Sequence, residues 1–254
     1  VGQIERAEAF RALHAGEPFL FPNPWDAGSA RVLEQLGFKA LATTSSGFAF
    51  TLGRRDGAAT LDDVVEHVRV LSEATALPVA ADLENMYDDP ATTVSRIAGA
   101  GAVGGSIEDY DPAAAELYPL ERAVERVSAA VEAARALDLP FTLTARAENH
   151  IRGNPDLDDT ITRLRAYAEA GADVLYAPGL RTTEEIRAVA QAVDRPLNVL
   201  ALPGLTMAEV ADAGAQRVSV GGALTWVAAQ ALREAAERLR DTGDFSVLAA
   251  RSPL

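Results

Sequence analysis

The sequence predicts a closed (β/α)8 barrel of the TIM type, and three features predict it. Eight short apolar runs recur along 254 residues, amphipathic stretches separate them, and glycines repeatedly end a helix just before a run begins. The runs fall at residues 18–21, 40–43, 78–81, 102–107, 141–145, 172–176, 197–201 and 217–220. Each is short and mostly apolar, as a strand covered on both faces should be. The first residues, Val1-Gly2-Gln3-Ile4-Glu5-Arg6, read as the start of an amphipathic N-terminal helix. Residues 61–74 place Leu61, Val64, Val65, Val68 and Leu71 on one helical face, with Asp62, Asp63, Glu66 and Arg69 elsewhere. Residues 120–137, 161–170 and 224–239 behave likewise. Leu36-Gly37-Phe38-Lys39, Gly99-Ala100-Gly101-Ala102, Ala170-Gly171-Ala172-Asp173 and Asp212-Ala213-Gly214-Ala215 each stop a helix and lead into a strand. Eight such units match the barrel count. An open doubly wound sheet is the alternative, but it calls for a glycine-rich phosphate loop after the first strand. That turn reads Phe21-Pro22-Asn23-Pro24-Trp25-Asp26, which is not one. No linker or low-complexity tract divides residues 1–254, so one domain is expected.

Composition narrows the function. The 48% hydrophobic content excludes general disorder. No apolar run approaches the roughly 20 residues of a membrane-spanning helix. The N-terminus lacks the basic head and apolar stretch of a signal peptide, so a cytoplasmic location is expected. A net charge of -14 repels phosphate backbones and anionic lipid, which excludes nucleic-acid and membrane-surface partners. The absence of cysteine removes disulfides, zinc–thiolate sites and thiol catalysis. Lys39 is the only lysine, so a Schiff-base mechanism would have to use it. It stands at a strand entrance, opposite the end where barrel chemistry gathers.

At the carboxyl ends of the strands the chain is acidic. The third strand ends Ala81-Asp82-Leu83-Glu84-Asn85, the fourth Ile107-Glu108-Asp109-Tyr110 and the fifth Ala145-Arg146-Ala147-Glu148-Asn149-His150. Asp56 lies in the loop after the second strand. Crowded carboxylates destabilise one another, and a hard divalent cation is the simplest compensation. Asp56, Asp82, Glu84 and Glu108 are therefore the candidate metal ligands, with Mg2+ the expected ion and Mn2+ its substitute. Arg146 is the natural partner for a substrate carboxylate. Ser45-Ser46-Gly47 offers hydroxyls and backbone N–H groups to an anionic oxygen, in what reads as a turn. His14 and His67 sit in helical patterns and are expected at the surface, and the role of His150 is open. Asp26 reads as a helix cap, and Trp25 as a packing residue.

Together these residues resemble the isocitrate lyase/phosphoenolpyruvate mutase superfamily over nearly the whole chain. The matching segments include Pro22-Asn23-Pro24-Trp25-Asp26-Ala27, Thr44-Ser45-Ser46-Gly47, Ala81-Asp82-Leu83-Glu84 and Gly105-Ser106-Ile107-Glu108-Asp109. They continue with Thr144-Ala145-Arg146-Ala147-Glu148, Glu169-Ala170-Gly171-Ala172-Asp173, Pro196-Leu197-Asn198-Val199 and Arg217-Val218-Ser219-Val220-Gly221. The resemblance implies a Mg2+-dependent enzyme acting on small 2-oxo or 2-hydroxy acids through an enolate. It assigns Asp82 as the most direct metal ligand, and Glu84, Glu108 and Asp56 as its support. Ser45, Ser46, Gly47, Arg146 and Asn198 are the expected substrate contacts. Glu84 replaces the family's usual aspartate. The segment from Glu108 to Pro119 lacks the Cys, Lys and His of the isocitrate-cleaving loop, and also the mutase's lid lysine and asparagine. Tyr110 or Tyr118 is left as the candidate acid. The expected activity is a carbon–carbon lyase on an oxaloacetate- or methylisocitrate-like substrate. The alternatives are a phosphonopyruvate or 2-oxo acid hydrolase, a mutase-type phosphonate enzyme, and a non-catalytic anion-binding barrel. The resemblance also implies a dimer of dimers exchanging a last helix at residues 223–240, followed by residues 244–250.

Overall fold

The computed structural model describes residues 2–249; Val1 and Ala250, at the edges of the expected terminal segments, lie outside the described residues. All eight apolar runs form strands. The strands are β1 (Phe19–Phe21), β2 (Leu41–Ala42), β3 (Val79–Asp82), β4 (Gly104–Glu108), β5 (Tyr110–Asp111), β6 (Glu116–Leu117), β7 (Thr142–Arg146), β8 (Val174–Tyr176), β9 (Leu197–Leu200) and β10 (Arg217–Ser219). Eight of them make one parallel sheet, in the order β1-β10-β9-β8-β7-β4-β3-β2. The seam between β1 and β2 is bridged by the Ala42 N–H, which donates to the Pro22 carbonyl at 3.1 Å. Asn23 reinforces it. Its amide donates to the Thr43 carbonyl at 2.9 Å and accepts from the Val220 and Gly221 N–H groups at 2.9 and 3.0 Å. A nearly closed barrel results, as expected.

The helices are α1 (Gln3–Leu13), α2 (Ala27–Gln35), α3 (Ser45–Thr51), α4 (Leu61–Ala74), α5 (Pro90–Gly99), α6 (Leu120–Arg135), α7 (Leu157–Glu169), α8 (Thr183–Ala192), α9 (Met207–Asp212) and α10 (Ala223–Thr242). Asp26 caps α2 by accepting from the Ser29 N–H at 2.7 Å. Thr60 and Asp63 form a reciprocal capping box at the start of α4. Gly101 and Gly171 take φ of +104° and +101°, the left-handed geometry that lets a chain leave a helix for a strand. No helix of the described residues is long and apolar enough to cross a membrane.

The apolar residues form three clusters, one of which packs Ala30 and Leu33 of α2 and Leu71 of α4 against Leu41 of β2 and Val79 of β3. A large cluster, including Ile97, Ile107, Leu143, Leu164, Leu175 and Val199, fills the space between strands and outer helices. A smaller one joins Ala7 and Phe10 of α1 to Phe19, Phe21, Ala40 and Val103, closing the amino-terminal mouth of the barrel. Between these last two clusters the barrel axis is lined by small and polar groups, among them Ala42, Ala80, Ser106, Thr144 and Ser219. Because those side chains are short, the axis stays open from the carboxyl end.

Three expectations need correction. Ser45-Ser46-Gly47 is the first turn of α3, not a simple turn, because Thr44 sets its start with a side-chain oxygen facing the Gly47 N–H at 3.4 Å. His67 is buried and stacked on Phe48, with ring centroids 3.9 Å apart. His14 is half-buried, edge-on to Phe10 and Phe19, with its Nε2 3.1 Å from Arg217. Each histidine continues an apolar helical face that the polar reading of its ring concealed.

Candidate active site

Parallel pairing places Asp82, Glu108 and Arg146 at the carboxyl ends of β3, β4 and β7. Asp82 pairs with Ser106, and Glu108 with Arg146. At the centre is the Arg146 guanidinium, whose side chain is only 15% exposed. It contacts Asp82 at 3.2 Å, Glu108 at 3.2 Å and Glu148 at 2.6 Å, and lies over the Tyr176 ring at 5.0 Å. Burial works against its charge, but Glu148, Glu108 and Asp82 outweigh it and hold the proton well above the usual range. Asp82 also accepts from the Ser45 N–H at 3.1 Å and the Ser106 hydroxyl at 3.4 Å.

Asp56, Glu84 and Glu108 line one cavity with Ser45, Tyr110, Arg146 and Arg152. Their acidity shows the crowding. Burial, then Asp82 and Asp56, pushes the Glu84 carboxyl up to about 7. Burial raises Asp56, opposed by a Ser45 hydrogen bond. Glu108 is also shifted upward, by burial and by Glu148 and Asp82 against the pull of Arg146 and Arg152. Glu84 reaches this cavity from left-handed backbone, with φ of 51°, and Met86 and Tyr87 just after it share that conformation without lining the cavity. Arg126 ties that loop down, donating to the Asn85 and Tyr87 carbonyls at 2.6 Å each.

Ser45, Ser46 and Asn198 line an adjoining cavity of about 210 Å³ with Asp82, Arg146 and Tyr176. Gly47 does not line it. A Cβ there would meet Thr225 Oγ1 at 2.5 Å and Thr44 Cγ2 at 2.6 Å, so its glycine serves close packing. Asn198 has both ends of its amide engaged, with Oδ1 accepting from Arg217 at 2.8 Å and Nδ2 donating to Ser219 at 3.0 Å.

Tyr110 opens the hairpin of β5 and β6, which stands over the acid cavity. The Arg152 guanidinium lies 3.7 Å from the centre of its ring. Tyr118 belongs to the packing instead, its hydroxyl accepting from Asn85 at 3.0 Å. His150 bonds Thr160 at 3.1 Å, and its Nε2 is buried without a partner. Lys39 is exposed at the entrance to β2, far from a Schiff-base role in this site.

Sequence reading passed over Glu148 and Arg152. Glu148 is fully buried and anchors both arginines, bonding Arg152 at 3.1 Å. Asp109 positions it by accepting the Glu148 N–H at 2.8 Å, and itself rests on Tyr167 and Arg163. The i, i+4 spacing of Glu148 and Arg152 was the available signal. Arg217 has a strand and a matching segment in the sequence but no role of its own, because an arginine opening an apolar run looks like a solvated strand entrance.

A family model described as phosphoenolpyruvate phosphomutase matches residues 10–240. An oxaloacetate decarboxylase from Rhodopseudomonas palustris strain BisB5 is 32% identical over 251 residues, 93% of this chain and 85% of that protein. A Burkholderia cenocepacia J2315 protein with the broad name lyase/mutase superposes with a TM-score of 0.94 at 52% identity, covering 98% of this chain and 92% of that one. A phosphonopyruvate hydrolase solved with oxalate and Mg2+ superposes with a TM-score of 0.88 at 25% identity, over 99% of this chain and 92% of its own.

Proposed function

The chain belongs to the isocitrate lyase/phosphoenolpyruvate mutase superfamily, and on that premise we propose that it is a Mg2+-dependent lyase. Its substrate is a small 2-oxo or 2-hydroxy carboxylate of the oxaloacetate kind, cleaved at carbon 3 through an enolate. The observation that carries this reading is Arg146, buried among Asp82, Glu108 and Glu148 at three strand ends.

The donor set suits the ion. Five carboxylates (Asp56, Asp82, Glu84, Glu108 and Glu148) face two guanidinium groups, Arg146 and Arg152, and Glu84 is raised by burial first and then by its acidic neighbours Asp82 and Asp56. All the donors are hard oxygens. Among the described residues, no three acidic or imidazole side chains are close enough to share an ion directly. A cation that keeps several waters fits that spacing, with Asp82 as the direct ligand and Glu84, Glu108 and Asp56 acting through water. When bound, Mg2+ supplies Lewis-acid stabilisation of charge on the substrate oxygen.

The chain's own residues do the rest. Arg146 grips the carboxylate and the developing oxyanion, which carries more charge in the transition state than in the bound acid. Ser45 and Ser46 orient it from the wall of the cavity. Glu148 keeps Arg146 aimed, and Tyr110, which lines the acid cavity, is the proposed donor of the proton that carbon 3 takes up after the bond breaks. Asp82→Ala is expected to lower kcat/KM on oxaloacetate by about a hundredfold or more with an unchanged unfolding midpoint. Full activity in EDTA would overturn the proposal, and labelled-water oxygen in the product carboxylate would mark a hydrolase instead.

A further inference from the structure

Below the catalytic groups the cavity ends on a cation that no acid balances. Arg217 begins β10 and is 4% exposed, yet it lines the same cavity as Arg146. Its Nε donates to Asn198 at 2.8 Å, one terminal nitrogen to Thr144 at 2.9 Å, and the other meets His14 Nε2 at 3.1 Å. A guanidinium has five N–H donors, so three bonds leave two without a partner. No partner is a carboxylate; the face of the guanidinium rests on the Phe21 ring, 4.8 Å from its centre.

His14 adds no charge of its own. Burial, then Arg217, lowers its proton affinity to about 3, so the ring is neutral. Its Nε2 then accepts from Arg217, and its Nδ1 proton goes to the Phe10 carbonyl at 2.9 Å. Burial pushes the Arg217 guanidinium down to about 9, still a cation at neutral pH. An unpaired buried charge is costly, and structures normally keep one only with a counter-ion. Asn198, Thr144 and Ser219, all buried, surround this one with polar groups that already hold it in place. Thr144, which holds Arg217, lies two residues before Arg146 on β7, a backbone rise of about 6.6 Å.

We propose that the floor of the barrel cavity is a second anion site, in which Arg217 takes a carboxylate-class anion separate from the group held by Arg146. The guest is either a free small acid of formate size or the far end of a linear diacid reaching down the axis. The site does not require the catalytic reading, since its charge and cavity exist without the metal.

Thermal unfolding of the whole chain tests it, with Mg2+ and oxalate saturating the upper site. Sodium formate is expected to raise the midpoint further and saturably, because a ligand of the folded state stabilises it. Arg217→Met should weaken formate binding at least about tenfold, the equivalent of one charge-assisted hydrogen bond, while the oxalate increment persists. Arg217→Lys, which keeps the charge, should retain part of the effect. Succinate that displaces both oxalate and formate identifies the two sites as ends of one diacid; succinate that displaces formate alone identifies a free-anion site. No saturable formate effect in the native chain, or the same effect in Arg217→Met, overturns the proposal. Should Arg217→Met fail to fold, a formate soak of native crystals decides it by density at the guanidinium or none. A formate effect without any oxalate–Mg2+ effect would sink the catalytic reading and leave this site standing.

Discussion

His67 shows what a single residue conceals. Its position in α4 follows the apolar face of Val64, Val68 and Leu71, but the imidazole reads as polar. In the fold it stacks on Phe48 with Nε2 unpartnered, and burial lowers its proton affinity to about 4. The unfolded chain takes up a proton near 6.5 and the folded chain does not, so stability is lost as pH falls from about 6.5 towards 4. Each such histidine withdraws up to about 1.4 kcal/mol per pH unit in that window. Glu84 works in the opposite sense between its ordinary value and about 7, because there the folded state holds the extra proton. His67→Phe, which keeps the stack and removes the titration, should therefore lose less stability than the native chain between pH 7 and 5. Equal shifts of the urea midpoints would refute the assignment. Asp82, Glu108 and Arg146 were legible as residues because strand ends are where a barrel displays chemistry. Arg217 was not, since nothing local tells an arginine facing the axis from one facing water.

At the scale of elements, the strands and long helices were readable and the short elements were not. The helix expected over residues 61–74 is α4 to the residue, because an amphipathic face and a capping box agree there. The hairpin of β5 and β6 has only two pairs, Tyr110 with Leu117 and Asp111 with Glu116, too few to show a period. Its turn depends on Asp111, which accepts from Ala113 and Ala114, and on left-handed Ala115 with φ of 56°. The hairpin is held at its two arms. Tyr118 is fixed by Asn85, its ring lies under Arg126, and Arg163 bonds its carbonyl. The Tyr110 side chain is stacked under Arg152, and among the described residues its hydroxyl has no hydrogen-bond partner. Tyr110→Phe keeps that stack and the hairpin, so it isolates the proton. If Tyr110 is the acid, kcat falls by about a hundredfold or more while KM stays near the native value. Tyr118→Phe should lose only about 1 kcal/mol of stability and little activity. Native kcat in Tyr110→Phe would remove the tyrosine from the proposed reaction.

For the whole molecule, the decisive element is α10. Its 20 residues extend about 30 Å, and Thr225 is the one buried residue among those described in it. The first turn belongs to the barrel: Thr225 meets Gly47, and Trp226 stacks edge-on with Phe50 at 5.4 Å. Beyond it, Val227 and Leu232 are 66% and 69% exposed, and Phe245 and Leu248 of the following 3-10 turn are exposed as well. Its amphipathic pattern predicted a helix correctly but could not say which barrel the apolar face covers, because periodicity carries no information about the partner. Exposed apolar side chains along such a helix are the mark of an association surface. The proposal that the last helix is exchanged between copies accounts for them, with a partner's barrel supplying the apolar contact. Sedimentation should then give a mass that is a multiple of 26.7 kDa, four-fold for the dimer of dimers. Leu232→Asp should shift the population towards smaller species, because a charge at a buried interface position has no partner there. A 26.7 kDa species for the native chain at micromolar concentration would mean that α10 stands free, and the exchange would have to be abandoned.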